Sequence, residues 1–500
     1  MVHGGEKGQA ITITVERVLL VSLPGPSLPD LTARWLDKGL AGVVLFARNI
    51  PDRHTLNELC QAIRELKPDA LIALDEEGGA VTRMEATTGS SWPGARVLGV
   101  VDDLALTART AATIAKGLAV SGANVNLAPV ADVVTCAANP VIGNRSFGYE
   151  PGLVARHVRE WVRATQMVGV AACAKHFPGH GATAADSHVD LPSLELDHET
   201  LMDVHVAPFK AAIDADVAML MTAHVRYEGI SDRPATLSRV LLEQLARKEL
   251  GFQGVIVTDA LGMGAIARHT GVVAGAVEAL NAGADLLCVD GSLELQQEVA
   301  SGLREARQGR LLTFERLEEA TERVRRLASR FTTSHAASAG EGPAGAPSAA
   351  GAFELGLAAA RRALRGALLP KPLQSAPFVF ELGFLSPGAG EVRMRLVDAL
   401  RQRHPATTGL VVPPGASLDV QEAVAAAGGR PIVIATRDAY RKPVEARLVS
   451  ELIAAAPGAV VVALGSEADM ELAPGRTVPA RGSAPPNLVA AAEVLLPLTS

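Results

Sequence analysis

Between Lys175 and Asp190 the chain sets one lysine, three histidines (His176, His180, His188) and the acids Asp186 and Asp190 among glycines and alanines. No helix or strand requires that mixture, and it reads as an active-site loop. Asp186 and His188 stand two positions apart, which in an extended segment puts both side chains on the same side. A carboxylate next to an imidazole fixes the ring's tautomer and strengthens its hold on a proton. Such a pair can donate a proton and take one back near neutral pH. The plain alternative is a histidine bonded to a backbone carbonyl. A metal site built from His176, His180, His188 and Asp259 is a further alternative, but no helical HxxxH spacing supports zinc. Neither a metal nor another cofactor is expected. Gly179 and Gly181 are expected to let the loop turn tightly and approach a ligand.

Asp259 directly follows the apolar run Val255-Ile256-Val257-Thr258. An acid held on the end of a buried strand suits a carboxylate nucleophile, and it equally suits the N-cap of a following helix. Asp75 ends another apolar run, with Arg83 eight residues on; short acids and arginines lining a cleft bind vicinal hydroxyls. Glu76 and Glu77 read as a solvated turn. Arg145 lies in the punctuated segment Asn139-Pro140-Val141-Ile142-Gly143-Asn144-Arg145-Ser146, either as a ligand contact or in a surface ion pair. Lys175 and His176 follow an apolar run, where an unpaired charge would be costly to bury.

These residues need a frame that brings them together. Eight short apolar runs of strand character precede residue 331, at 18–23, 42–46, 71–74, 124–127, 168–174, 217–221, 255–258 and 286–289. Amphipathic Ala/Leu/Arg-rich segments such as 54–66, 104–121, 153–167 and 239–249 lie between them. Eight alternations of strand and helix predict a (β/α)8 TIM barrel, which carries its chemistry at the C-terminal strand ends. Asp75, Asp132, Lys175, His224, Asp259 and Asp290 all sit just there. An open doubly wound sheet would carry the same alternation. The expected organisation is a catalytic barrel over 10–331, a flexible linker over the Ala/Gly/Ser/Pro-rich stretch 332–352, and a smaller open α/β domain over 353–500. In the latter, strands are expected at 378–382, 409–412, 431–436 and 459–464.

Five hundred residues, 48% hydrophobic but only 3% aromatic, supply ample core from Ala, Val and Leu. A net charge of −7 speaks against a nucleic-acid partner. No apolar run reaches the ~18 residues of a membrane span, and the N-terminus has no signal-peptide pattern, so a cytoplasmic location is expected. The four cysteines are scattered without a CxxC pair and read as small buried hydrophobes. Oligomeric state is not legible.

Taken together, the motifs resemble glycoside hydrolase family 3, and within it the bacterial β-N-acetylglucosaminidases of peptidoglycan recycling. The likeness covers roughly residues 15–330 and rests on Leu45-Phe46-Ala47-Arg48-Asn49, Asp75-Glu76-Glu77-Gly78-Gly79, Ala128-Pro129-Val130, Ile142 to Gly148, Lys175 to Asp190, Met221-Thr222-Ala223-His224 and Thr258-Asp259-Ala260-Leu261. It implies Asp259 as nucleophile and His188 as general acid/base assisted by Asp186. Asp75, Arg83, Arg145, Lys175 and His176 would hold a terminal N-acetylglucosamine of a small saccharide. It further implies retaining double displacement. Other branches of the family take the acid/base from a glutamate in a later domain. A histidine acid/base does not repel anions, so phosphorolysis of the same substrates is an alternative, and a non-catalytic sugar-binding barrel is another. Two departures stand out: Ala80 where the family often has arginine, and Glu76 where glutamine is common.

Overall fold

The computed structural model describes residues 14–338, 348–384 and 394–497, with only the backbone over 333–338. Ten strands occupy the first part of the chain: β1 (Leu19–Ser22), β2 (Gly42–Leu45), β3 (Leu71–Leu74), β4 (Val125–Asn126), β5 (Ala171–Phe177), β6 (Ser193–Glu195), β7 (Met219–Thr222), β8 (Arg226–Glu228), β9 (Val255–Thr258) and β10 (Leu287–Val289). Eight of them form one parallel sheet in the order β10-β1-β2-β3-β4-β5-β7-β9. A parallel bridge from Val257 to Leu286 brings the two edges together, with Thr258 N–H donating to the Leu286 carbonyl at 3.0 Å. The sheet is thus a barrel, and each of the eight runs read as strand overlaps one of its staves. β6 and β8 pair separately above it.

The fifth stave begins later than its apolar run. Val168 and Gly169, the latter at φ +89°, close the preceding helix Pro151–Met167, so pairing starts at Ala171 and runs on through Lys175, His176 and Phe177. Lys175 and His176 are therefore part of the sheet, while His180, Asp186 and His188 lie in the loop after it.

Burial explains the closure. All four residues of β1, β2, β3, β7 and β9 are buried, as expected where helices cover the outside and side chains fill the inside. Inside, Leu20, Val44, Leu71, Leu127, Met219 and Val255 pack with Val324, Leu327 and Phe331. The last three belong to the helix Phe314–Ser338, which plugs the N-terminal end of the barrel. Outside, helices such as Leu104–Val120 present Leu106, Ala111, Ile114, Ala115 and Leu118 at helical spacing. Asp52 and Asp103 cap their helices by accepting from Thr55 N–H and Leu106 N–H.

The second part contains β11 (Phe378–Leu382), β12 (Thr408–Val412), β13 (Ile432–Thr436), β14 (Val460–Ala463) and β15 (Thr477–Pro479), all parallel in the order β12-β11-β13-β14-β15. The strand β15 is short and has no apolar run of its own to announce it. The stretch expected as linker is helical at both ends: one helix runs to Ser338 and the next begins at Ala349. Its middle, 339–347, lies outside the described residues. Arg96 of the barrel pairs with Glu467 at 2.6 Å, and Asp103 with Arg362 at 2.8 Å, across the seam between the two parts. Gly356 lies so close to the Ser91 carbonyl that a Cβ would come within 2.3 Å of it, so the helix Ala349–Leu364 rests directly on the barrel.

Candidate active site

At the C-terminal mouth of the barrel a cavity of about 390 Å³ is lined by residues that all come from the barrel. Its floor is a net of ions. Lys175, 2% exposed at its side chain, reaches Asp75 and Glu77, each at 2.7 Å. Asp75 also accepts from Arg83 at 3.1 Å. Glu77 takes both Nε and Nη2 of Arg145, at 3.0 and 2.8 Å. Three cations share two carboxylates, so each charge has a partner of opposite sign, which is the condition for keeping them out of water. Burial would raise Asp75, but Lys175 and Arg83 outweigh it and hold it well below the usual carboxylate range. Glu77 is lowered in the same way by Arg145 and Lys175 against its burial. Lys175 is correspondingly raised despite its burial, through Asp75 and Glu77. Asp75, Glu77, Lys175 and Arg145 stay charged around neutrality.

Glu76 and Glu77 are not a solvated turn: they are 0% and 6% exposed. Glu77 is a member of the site that sequence reasoning missed, and Arg145 makes a buried pair with it rather than a surface one. Glu76 works underneath. Its Oε2 accepts the backbone N–H of Arg83 and of Met84, at 2.9 and 3.0 Å, bending the loop so that Arg83 returns to Asp75. Burial, opposed by the Thr82 hydroxyl and by those N–H groups, pushes this carboxyl up to about 7.

Asp132 was legible as a strand-end acid but not as a site residue. Fully buried, it accepts from His176 Nδ1 at 2.8 Å and from the backbone N–H of His176 and His180 at 3.2 and 2.6 Å. The carboxylate fixes the His176 tautomer and leaves Nε2 as the nitrogen for a ligand. Asn139 ties two loops together. Its Oδ1 accepts from Val141 and Ile142 N–H, and its Nδ2 donates to the His180 carbonyl and Thr183 Oγ1. The Arg145 segment and the histidine loop are thus held as one piece.

The pair anticipated from spacing is formed: His188 Nδ1 lies 2.7 Å from Asp186 Oδ1, and His188 N–H donates to the same oxygen at 2.9 Å. His188 is 60% exposed at its side chain and lines the cavity together with Asp259. The loop carrying it is bonded to the segment just after Asp259: Gly264 N–H donates to the His188 carbonyl at 3.1 Å and Ala265 N–H to that of Ser187 at 3.2 Å. His188 and Asp259 are brought to one cavity by this pairing. Asp186 is lowered by its bonds from His188, against partial burial.

Asp259 is not a helix cap. Its Oδ1 accepts only from Ala260 N–H at 2.7 Å, and the next helix, Gly264–Ala267, follows Met263. Burial would raise its carboxyl, yet His224 and His176 hold it below the ordinary aspartate range. A carboxylate that stays ionised in a buried site is a competent nucleophile. At the rim, Arg48 pairs with Asp290 at 2.7 Å and lies over the Phe46 ring at 4.6 Å. An arginine close to an acid in sequence would not have revealed that pairing, because its partner is 242 residues away.

His180 is placed differently from the metal reading. Its Nε2 bonds Ser187 Oγ at 2.9 Å and its Nδ1 Thr183 Oγ1 at 3.0 Å, and burial with His176 nearby lowers it to about 4. Among the described residues no group of three or more His, Cys, Asp or Glu side chains is arranged to hold a metal ion. Gly179 and Gly181 serve the protein's own packing rather than a ligand: a Cβ on Gly181 would sit 1.9 Å from the Val133 carbonyl, and one on Gly179 2.8 Å from His205. Three of the four free cysteines are buried.

Chemistry gathered from the ends of several staves at one mouth of a barrel defines a (β/α)8 enzyme. The family follows from the sequence itself: residues 25–327 match the glycosyl hydrolase family 3 N-terminal domain, and the chain belongs to that family. A β-hexosaminidase of Xylella fastidiosa is 38% identical over 280 residues, 54% of this chain and 83% of that protein. β-Hexosaminidase A of Pseudoalteromonas piscicida is 32% identical over 349 residues, 64% of this chain; the match spans only 58% of that longer protein. The solved family 3 β-N-acetylglucosaminidase of Paenibacillus sp. FPU-7 superposes with a TM-score of 0.85 at 29% identity, covering 97% of both chains. That likeness extends through the second domain. No helix among the described residues is long and apolar enough to cross a membrane.

Proposed function

We propose that the protein is a retaining exo-β-N-acetylglucosaminidase that removes terminal β-linked N-acetylglucosamine from peptidoglycan-derived or chitin-type saccharides. The observation that carries this reading is the sharing of one cavity by Asp259 and His188, whose Nδ1 is held by Asp186, above a charged floor suited to sugar hydroxyls. In the first step an Asp259 oxygen bonds to the anomeric carbon as the bond to the leaving oxygen breaks, and the proton on His188 Nε2 passes to that oxygen. In the second, water attacks the same carbon, the now neutral imidazole takes its proton, and the Asp259 carboxylate departs. Nε2 is the transferring nitrogen because Asp186 occupies Nδ1. Asp75, Lys175, Arg83, Arg145 and His176 bind the terminal sugar. The names of the relatives agree with the substrate class, and the confinement of the cavity lining to the barrel agrees with an acid/base that is not supplied by the second domain. The reading includes a barrel unit over 10–331, an α/β unit over 353–500 and a cytoplasmic place in peptidoglycan recycling.

The test is hydrolysis of a chromogenic β-N-acetylglucosaminide beside the matching β-glucoside, with Asp259→Ala and His188→Ala as controls. Turnover of the first substrate that Asp259→Ala abolishes and His188→Ala lowers supports the reading; equal rates on the two sugars overturn the substrate, and an α-anomer as the first product by proton NMR overturns retention. Formation of a sugar 1-phosphate on adding phosphate would reassign the enzyme as a phosphorylase.

A further inference from the structure

His224 follows β7, is fully buried and does not line the active-site cavity. Its contacts lead instead to the nucleophile. Nε2 of the ring lies 3.1 Å from the Ala260 carbonyl; a carbonyl only accepts, so Nε2 carries the hydrogen. Nδ1 lies 2.7 Å from Thr236 Oγ1. That hydroxyl has one hydrogen and two further neighbours, Thr222 Oγ1 at 2.8 Å and the Ala223 carbonyl at 3.1 Å. The Ala223 carbonyl already accepts the backbone N–H of Thr236 at 3.3 Å. With a neutral ring every group is satisfied: Thr222 donates to Thr236, Thr236 to Nδ1, and Nε2 to Ala260. Burial, opposed by the charge of Asp259, lowers His224 from its ordinary value, in keeping with a ring that is neutral around neutrality. The Ala260 carbonyl also accepts Met263 N–H at 3.0 Å, closing a tight turn. On one side of that turn Ala260 N–H donates to Asp259 Oδ1 at 2.7 Å. On the other, Gly264 N–H holds the His188 carbonyl at 3.1 Å, and between them Leu261 N–H is fastened to the Cys288 carbonyl at 3.0 Å. The nucleophile and the loop of the acid/base are thus attached to the two ends of one turn, and His224 grips its first peptide.

We infer that His224 is a positioning residue of the glycosidase reaction: oriented by Thr222 and Thr236, it fixes the Ala260 peptide so that Asp259 Oδ1 stays on the Ala260 N–H and Oδ2 is the oxygen that attacks. The inference rests on the glycosidase reading above and adds to it which carboxylate oxygen reacts and what aims it. A chain of hydrogen bonds that all run one way strengthens each link and leaves the ring a single orientation. The carboxylate gains from this because a nucleophile is effective only when its reacting oxygen is held in line with the anomeric carbon. When the bond to that carbon breaks in the second step, the charge returns to a carboxylate whose other oxygen already accepts an N–H.

The experiment measures kcat/KM for a chromogenic β-N-acetylglucosaminide and Kd for N-acetylglucosamine in the wild type, His224→Leu, His224→Gln and Thr236→Val. His224→Leu removes both ring contacts and is expected to lower kcat/KM by about 10²-fold, the scale of a misplaced reacting atom, with Kd within about twofold of the wild type because the residues that hold the sugar are untouched. His224→Gln offers an amide N–H to the Ala260 carbonyl and should recover about tenfold of that loss, and Thr236→Val, which leaves Nδ1 without its donor, should lose about tenfold. A wild-type rate in His224→Leu, a glutamine variant no better than the leucine one, or equal losses in kcat/KM and in affinity for N-acetylglucosamine overturn the inference and leave the glycosidase reading intact. Absence of turnover by the wild type, or an Asp259→Ala variant as active as the wild type, strikes that underlying reading instead. If His224→Leu shows no cooperative unfolding in urea, the other two variants decide: wild-type rates in both overturn the inference, and the expected loss in Thr236→Val at unchanged Kd supports it.

Discussion

Glu76→Gln isolates the one buried carboxyl beneath the site that has no cation to balance it. Glu76 is 0% exposed and accepts two backbone N–H groups through Oε2, a role that a glutamine carbonyl can repeat. Burial moves the carboxyl from the ordinary 4.5 to about 7. Because its folded value lies above its unfolded one, the native chain holds the proton longer than the denatured chain does. The stability this contributes is complete below pH 4.5 and is lost as pH rises through about 7. At 1.36 kcal/mol per pH unit of displacement, the loss amounts to roughly 3 kcal/mol. Glutamine does not titrate. The unfolding free energy of the variant minus that of the wild type should therefore rise by roughly 3 kcal/mol between pH 4.5 and pH 8, read by urea denaturation at matched pH values so that the other titrating groups cancel. A difference that is flat across this range, or that shrinks as pH rises, would falsify the assignment of Glu76 as a neutral acid at low pH.

Other perturbations probe the remaining contacts. Asp186→Asn, which removes the charge beside His188, should lower kcat for an alkyl or sugar leaving group by about 10²-fold or more and affect a nitrophenyl leaving group far less; equal losses on both would sever the pair from proton donation. Lys175→Met removes the shared cation of Asp75 and Glu77 and should cost about 3–5 kcal/mol in stability as well as sugar binding, measured by thermal denaturation and by KM. Glu467→Gln leaves Arg96 and Arg481 without their common carboxylate at the seam. It should expose the junction to limited proteolysis at lower temperature than in the wild type, with unchanged cleavage of a neutral chromogenic substrate.

Much of this was legible from residue types and order. Buried parallel staves are nearly continuous apolar runs, so eight of them could be counted. The chemical side chains that follow the staves could be assigned to one end of the barrel for the same reason. The Asp186–His188 contact is local, two residues apart, and local geometry is what a sequence displays directly. The misses have equally physical causes. Glu77 sits between glycine and a second acid, a context that looks solvated until Arg145, 68 residues on, and Lys175 are seen to converge on it. Asp132 serves His176 and His180 from 44 and 48 residues away. The glycines of the histidine loop were read as room for a ligand, whereas they are pressed against Val133 and His205.

By itself, then, the order of residues determined which elements form and which side chains stand at their ends, since period, capping and strand punctuation act over a few positions. Only the folded chain decided how charges distribute among partners, which acid is neutralised by two cations and which is left to keep its proton. It also decided that two arginines of a separate sheet domain border the same space as one from the barrel. Those outcomes depend on distances between residues tens to hundreds of positions apart, and such distances are set by barrel closure and domain docking.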